Sequence, residues 1–110
     1  MIRLVSLVLL ALLIACSSGP TATTGDLLAC RNVQKANQGL QEDPTRAYLS
    51  MATAARLADD HRLVLAGEIM QEAANAVLHN NDVAQASEPL AAARIEEICR
   101  SFGVSTKATP

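Results

Sequence analysis

Four side chains that could bind a metal ion recur at regular intervals in the second half of the chain: His61, Glu68, Glu72 and His79. Offsets of 7, 11 and 18 residues from the first place all four within about 20° of one line on a helix surface. Two helical turns, about 10 Å along the axis, separate His61 from Glu68. The same distance separates Glu72 from His79, whereas zinc–ligand distances are about 2 Å. The spacing therefore predicts a solvated helix face and no metal site.

Acidic pairs are the next candidates for chemistry, because two carboxyl groups can act as acid and base. The pairs are Asp59-Asp60 and Glu96-Glu97. Adjacent helical residues point about 100° apart, so neither pair converges on a substrate. The sequence also contains no phosphate-binding glycine loop, nucleophile elbow or HExxH motif. We therefore expect neither an enzyme nor a cofactor.

Length and composition limit the class of protein. The chain has 110 residues, of which 50% are hydrophobic, 18% are charged and only 2% are aromatic. A single domain is expected at this length, and the apolar content excludes a disordered charged tail. The balance of 9 basic against 11 acidic residues also excludes the positive surface of a nucleic-acid binder.

The amino terminus has the pattern of a secretory signal. Arg3 precedes an apolar run over 4–15 in which Ser6 is the single polar residue. A positive residue followed by a short apolar segment is typical of an export signal. A permanent membrane span needs about 20 apolar residues, and this run ends at Cys16. We therefore expect residues 1–15 to be a signal peptide that is removed.

The end of this leader, Leu13-Ile14-Ala15-Cys16, resembles the lipobox of bacterial lipoproteins. The resemblance covers only the targeting segment and implies three steps. The Cys16 thiol receives a diacylglyceryl group, a dedicated peptidase cuts before Cys16, and the new amine is acylated. The alternative is an ordinary secretory signal cut at or just before Ala15. No family is recognised for the mature domain.

A lipidated Cys16 would attach the chain to a membrane without crossing it. Without Arg3 the mature chain has 8 basic and 11 acidic residues, a net charge of −3, so the acyl chains and not charge would hold it there. Because Ser17 follows the cysteine, the resemblance implies the periplasmic face of the outer membrane in a two-membrane host. In a one-membrane host it implies the outer leaflet, with the body outside the cytoplasm.

The mature chain divides into a lipidated cysteine with a flexible linker at 16–25, a helical body at 26–102 and a flexible tail at 103–110. The body shows no alternation typical of strands and contains few glycines and prolines. We expect an all-α, up-and-down bundle. The four helices that we favour lie near 26–38, 44–58, 60–79 and 83–102.

Local signals mark several of these helix ends. Asp43 followed by Pro44 is typical of a helix start, and the cluster Asn80-Asn81-Asp82 is typical of a turn between helices. The last helix should stop at Gly103. Its start is either bent by Pro89 or delayed to Ser87.

The segment 44–79 has two interpretations. Its apolar positions keep one phase, which favours a single long helix and a three-helix bundle. They include Tyr48, Met51, Ala52, Ala55, Leu63, Ala66, Ile69, Met70, Ala73 and Val77. Against this, Asp59 and Arg62 fall on the same stripe, and Asp59-Asp60 could cap a new helix.

The cysteines favour four helices. With Cys16 acylated, Cys30 and Cys99 remain, and two thiols in an exported chain predict one disulfide. Cys30 lies near the start of the first helix and Cys99 near the end of the last. Those two ends meet only when the first and last helices are antiparallel, as in a four-helix bundle, because a disulfide needs Cα atoms within about 7 Å.

These observations favour a small exported lipoprotein that binds an envelope protein or has a structural role in the cell envelope. Its expected partners are the membrane, through the lipid, and an unidentified envelope protein, but no nucleic acid. One alternative is a carrier of a small ligand or metal with a cavity between its helices. Another is a phage- or prophage-encoded exclusion lipoprotein that blocks a surface component.

Overall fold

A computed structural model describes residues 21–81 and 85–107 of the chain. Within these two ranges the chain forms four helices and no strand. They are α1 (Thr24–Asn37), α2 (Pro44–Arg56), α3 (His61–Leu78) and α4 (Ser87–Ser101). The all-α prediction with four helices is therefore confirmed. The predicted leader at 1–15 and the proposed lipidation site at Cys16 lie outside the described residues.

The helices alternate in direction along the bundle. Helix α2 packs most extensively on α3, α1 packs on α2, and α4 packs on α3. Asp26 at the start of α1 contacts Asp59, just before α3, and Arg62 in α3 lies 5.8 Å from the ring of Phe102 at the end of α4. We call this end of the bundle, where the chain enters at Thr23, the entry pole.

The opposite end, here called the distal pole, contains the loop at 38–43, the end of α3 and the start of α4. Asp43 caps α2 through a hydrogen bond from the Arg46 N–H, with Pro44 in the first position, as predicted. Helix α4 starts at Ser87, which is the delayed start that Pro89 allows.

Left-handed residues end α3 and α4. Asn80 has φ 64° and Gly103 has φ 82°, conformations that asparagine and glycine tolerate best. The N–H groups of Gly103 and Val104 then bond to the carbonyls of Arg100 and Cys99, which satisfies the end of α4. Helix α1 begins at Thr24, two residues before the predicted start, because Thr23 provides the cap.

The core consists mainly of alanines, so the helices approach one another closely. A Cβ on Gly67 of α3 would lie 2.9 Å from the carbonyl oxygen of Ala52 in α2. The largest fully buried apolar side chains include Leu63, Met70, Ile95 and Ile98.

The prediction that Ile69 faces the core is wrong, because its side chain is 58% exposed. Residues next to each other in a helix point about 100° apart, and it is the adjacent Met70 that is buried. The buried face of α3 is therefore rotated relative to the predicted one. It includes Gly67 and Ala74 in place of Ile69.

The segment after α4 runs back along α1. The side chain of Asn37 donates to the carbonyl oxygen of Thr106 at 2.8 Å, Thr106 itself is buried, and Val104 packs against the core. The predicted tail at 103–110 therefore contacts the bundle over the part that the structure describes. No helix among the described residues is long and apolar enough to span a membrane.

Candidate functional sites

The disulfide predicted from the sequence is present between Cys30 in α1 and Cys99 in α4. The two Cα atoms lie 5.7 Å apart, and 69 positions separate the residues in sequence. Both side chains are fully buried. Helices α1 and α4 have few contacts with each other. The covalent bond therefore joins two helices whose backbones are mostly not adjacent.

A buried carboxylate organises the entry pole. Asp26 is almost fully buried, and its Oδ1 accepts hydrogen bonds from the backbone N–H groups of Asp59 at 3.0 Å and Asp60 at 2.8 Å. Its Oδ2 accepts from the N–H of Thr23 at 3.1 Å. Burial opposes ionisation of Asp26, but these hydrogen bonds outweigh it and hold the pKa below its ordinary value. Asp26 thus joins the start of α1 to the turn between α2 and α3.

Thr23 completes this connection. Its hydroxyl accepts from the N–H of Asp26 at 3.1 Å and donates to Oδ2 of Asp59 at 2.6 Å. The Thr-x-x-Asp spacing of residues 23–26 is typical of a capping box and could have indicated this cap from the sequence. Nothing in the sequence showed that Asp26 would also bond to a turn more than thirty residues away.

An ion pair closes the same pole. Arg62 donates to Oδ2 of Asp60 at 2.9 Å, and its guanidinium lies over the Phe102 ring, an arrangement that favours the cation. The hydrogen bond from Arg62 lowers the pKa of Asp60, despite partial burial. In turn, Asp60 raises the pKa of Arg62. The acidic pair at 59–60 was considered above as a possible acid and base. In the structure Asp60 caps α3, and Asp59 links the turn before α3 to the start of α1.

The distal pole contains a buried carboxyl group with an unused oxygen. Glu88 is 2% exposed, and its Oε2 has no hydrogen-bond partner among the described residues. Burial raises the pKa of Glu88. Burial also raises the pKa of Tyr48, with a further contribution from the charge of Glu88. Sequence analysis missed Glu88, although it lies seven residues before Ile95 and therefore on the core face of α4.

A cleft of about 300 Å³ opens between α1, α2, α4 and the carboxy-terminal segment. Apolar residues form much of its lining, and Tyr48, Asn37 and Glu96 provide polar atoms. Two of these groups are already occupied, because Asn37 bonds to Thr106 and Glu96 accepts from Arg100 at 3.0 Å. The cleft therefore combines apolar side chains with several polar ones, among them the hydroxyl of Tyr48.

The predicted solvated stripe of α3 is exposed at His61, Glu68, Glu72 and His79. No three histidine, cysteine, aspartate or glutamate side chains within 21–81 and 85–107 are grouped so that they could hold a metal ion. The ring of His79 bonds to the carbonyl oxygen of Asn75 at 2.7 Å and so caps the end of α3. The second acidic pair lies on α4, where Glu97 bonds to Arg94 and Glu96 to Arg100.

Comparison with known proteins assigns no relative. The chain matches no known family model, and neither a curated protein nor a solved structure shows significant similarity to it.

Proposed function

We propose that the chain is an exported bacterial lipoprotein whose helical body is held at a membrane surface by acyl groups on Cys16. The observation that carries this proposal is the Leu13-Ile14-Ala15-Cys16 sequence directly behind a short apolar leader. Its similarity to a lipobox supplies the modification chemistry. In a two-membrane host the body would lie on the periplasmic face of the outer membrane, and in a one-membrane host on the outer surface.

The pairing of the other cysteines supports export. Cys30 and Cys99 form a disulfide, and such bonds persist in oxidising compartments but are rare in the cytosol. If Cys16 is acylated, every cysteine of the chain is accounted for. A free thiol outside the cytoplasm would be exposed to disulfide exchange and to oxidation. One assignment of compartment thus explains the use of all three cysteines.

The described geometry is compatible with a short membrane tether. Thr23 caps α1 at the entry pole and lies seven residues after Cys16, a distance of at most about 25 Å for an extended chain. The entry pole would therefore be the end of the bundle nearest to the membrane. The distal pole would point away from it.

We propose that the body acts by binding an envelope protein or as a structural component of the envelope. Among the described residues the carboxylates that could have been catalytic cap helices or form ion pairs. Several large apolar side chains remain on the surface, and exposed apolar surface is available for protein contacts. Tethering raises the local concentration of the body near membrane partners, so weak contacts become effective.

A second candidate is a carrier of a small apolar molecule. The cleft between α1, α2 and α4 favours it, because its lining combines apolar side chains with the hydroxyl of Tyr48. Native mass spectrometry of the purified protein tests this candidate. A bound molecule that is lost in an Ala93→Trp variant, whose larger side chain would obstruct the cleft from an exposed position, supports a carrier. An unliganded mass after purification directly from membranes contradicts it.

Replacing Cys16 by serine tests the main proposal, since serine retains the size but not the thiol that accepts the lipid. In cells fed a labelled fatty acid, the parent protein should carry label and sediment with membranes. The Cys16→Ser variant should lose the label and retain its leader. The Ser17→Ala variant, which leaves the cysteine intact, serves as the matched control and should behave like the parent. Fatty-acid label that survives in Cys16→Ser would refute the anchor, whereas membrane attachment alone would not, because the retained apolar leader 4–15 can itself hold the variant at a membrane.

A further inference from the structure

Two exposed leucines flank the point where the chain enters the bundle. Leu57 forms the carboxy-terminal cap of α2 and is 76% exposed, while Leu28 in the second turn of α1 is 57% exposed. Both lie at the entry pole, because that pole contains the start of α1 and the end of α2. Isolated exposed leucines are ordinary, but a pair on one surface is more informative.

Helical spacing places these two leucines on the same face. Lys35 of α1 and Ser50 of α2 line one cleft between the two helices, nearer the distal pole. Leu28 lies seven residues before Lys35, and Leu57 lies seven residues after Ser50. Residues seven apart in a helix project in nearly the same direction. Leu28 and Leu57 therefore border the same α1–α2 groove at its entry-pole end.

Three acidic side chains of the entry pole have protein partners. Asp26 accepts three backbone N–H groups, Asp60 is paired with Arg62, and Asp59 accepts from the hydroxyl of Thr23. Moving a charge out of water is costly unless it is paired and hydrogen-bonded. This pole can therefore approach a less polar environment at a lower cost than one with unpaired carboxylates.

We propose that Leu28 and Leu57 insert into the interface of the lipid leaflet that carries the anchor and so hold the entry pole against the membrane. This inference rests on the proposed lipidation of Cys16. Thr23 follows Cys16 by seven residues, so the start of α1 can lie at most about 25 Å from the lipidated cysteine. The two leucines at this pole therefore stay close to the bilayer.

The tether also explains why lipid is a better occupant than a second copy of the chain. Stable protein interfaces bury about 1,200–2,000 Å², far more than two leucines provide. Docking of a tethered body is intramolecular, so its effective concentration is high and a small apolar contact is sufficient. The net charge of −3 in the mature chain makes a zwitterionic surface more suitable than an anionic one.

Single-tryptophan fluorescence tests the proposal directly, because the sequence contains no tryptophan. The Leu57→Trp variant of the full, lipidated protein is reconstituted in phosphatidylcholine vesicles whose acyl chains are brominated near the headgroup. The matched control is Leu90→Trp, at a position that is 72% exposed in the first turn of α4 at the distal pole. Both positions tolerate a larger side chain because both are open to solvent.

We expect Leu57→Trp to emit at shorter wavelength and to lose most of its emission in brominated vesicles, whereas Leu90→Trp does neither. Adding Leu28→Ser to Leu57→Trp should lower the docked-to-undocked ratio about tenfold, the effect of removing one buried leucine. Leu78→Ser, added in the same way at the distal pole, should not change it.

Equal quenching at the two tryptophan positions would overturn the docking, as would no quenching at all. A blue shift that depends on protein concentration and is insensitive to bromine would mean that a second copy covers the leucines, which also overturns it. Co-flotation with vesicles and incorporated fatty acid are measured on the same samples. Normal flotation without quenching refutes only the docking, whereas absence of the acyl group refutes the proposed function as well.

Discussion

Removal of the Cys30–Cys99 bond should destabilise the bundle strongly. The bond closes a loop of 69 positions, and the chain-entropy relation gives a stabilisation of about 4 kcal/mol for a loop of that length. A change of 1 kcal/mol shifts the Tm of a domain of this size by roughly 4–8 °C. We therefore expect the Tm to fall by roughly 15–30 °C. Helices α1 and α4 have few other contacts that could compensate for the loss.

The variant Cys30→Ala/Cys99→Ala is the appropriate perturbation, because both side chains are fully buried and serine would add a buried hydroxyl. Thermal unfolding is followed by circular dichroism with and without a reductant. The reductant should lower the Tm of the parent to that of the double variant and leave the double variant unchanged. Equal Tm values for the oxidised parent and the double variant would refute the reasoning.

The other predictions concern stability and are measured by chemical or thermal unfolding. Gly67→Ala should destabilise the bundle by about 1–2 kcal/mol because its Cβ would meet the α2 backbone, whereas Gly39→Ala, with ordinary contact distances, should be nearly neutral. Asp26→Ala should cost about 3 kcal/mol, because it leaves three backbone N–H groups without their acceptor. Because the native pKa of Asp26 is lowered, its contribution is present above the unfolded pKa and should disappear as the pH falls through the native value. The pKa of Glu88 is raised in the native state, so its contribution is lost as the pH rises through that value. Glu88→Gln should therefore raise the Tm at pH 7 and raise it less at a pH of about 4. The control variant Glu97→Gln, at an exposed position, should leave the Tm unchanged at both pH values.

Sequence reasoning predicted the features that depend on neighbouring residues or on covalent limits. The Asp43-Pro44 pair and the left-handed Gly103 determine local backbone conformation, and both mark helix ends in the structure. The four-helix arrangement followed from a length limit, since the predicted bond between Cys30 and Cys99 could form only if α1 and α4 were antiparallel. These arguments need no knowledge of side-chain packing.

Features that depend on which helix faces which were not predicted. Asp26 is buried because its oxygens bond to backbone atoms of a distant turn, a contact without a sequence pattern. Glu88 was overlooked because charged residues are rarely buried without a partner, so a glutamate on the core face was not expected. Ile69 was assigned to the core because the periodicity of large apolar residues does not count Gly67 and Ala74, which turn the buried face away from it.

The carboxy-terminal segment shows a similar limit. Residues 103–107 have no apolar periodicity, yet Thr106 is buried and its carbonyl bonds to Asn37. Single hydrogen bonds from one element to an extended segment leave no repeated signal in a sequence. The candidate cleft was also not foreseen, because its lining comes from three helices and this segment.

Intact mass spectrometry of the protein extracted from the membranes of the cells that produce it tests the central claim most directly. The account predicts a chain that begins at Cys16, carries a diacylglyceryl group, and has no free thiol because Cys30 and Cys99 are joined. A protein recovered from the cytosol at the mass of the full chain from Met1, with three free thiols, would contradict the lipid anchor, the export and the physiological role of the disulfide.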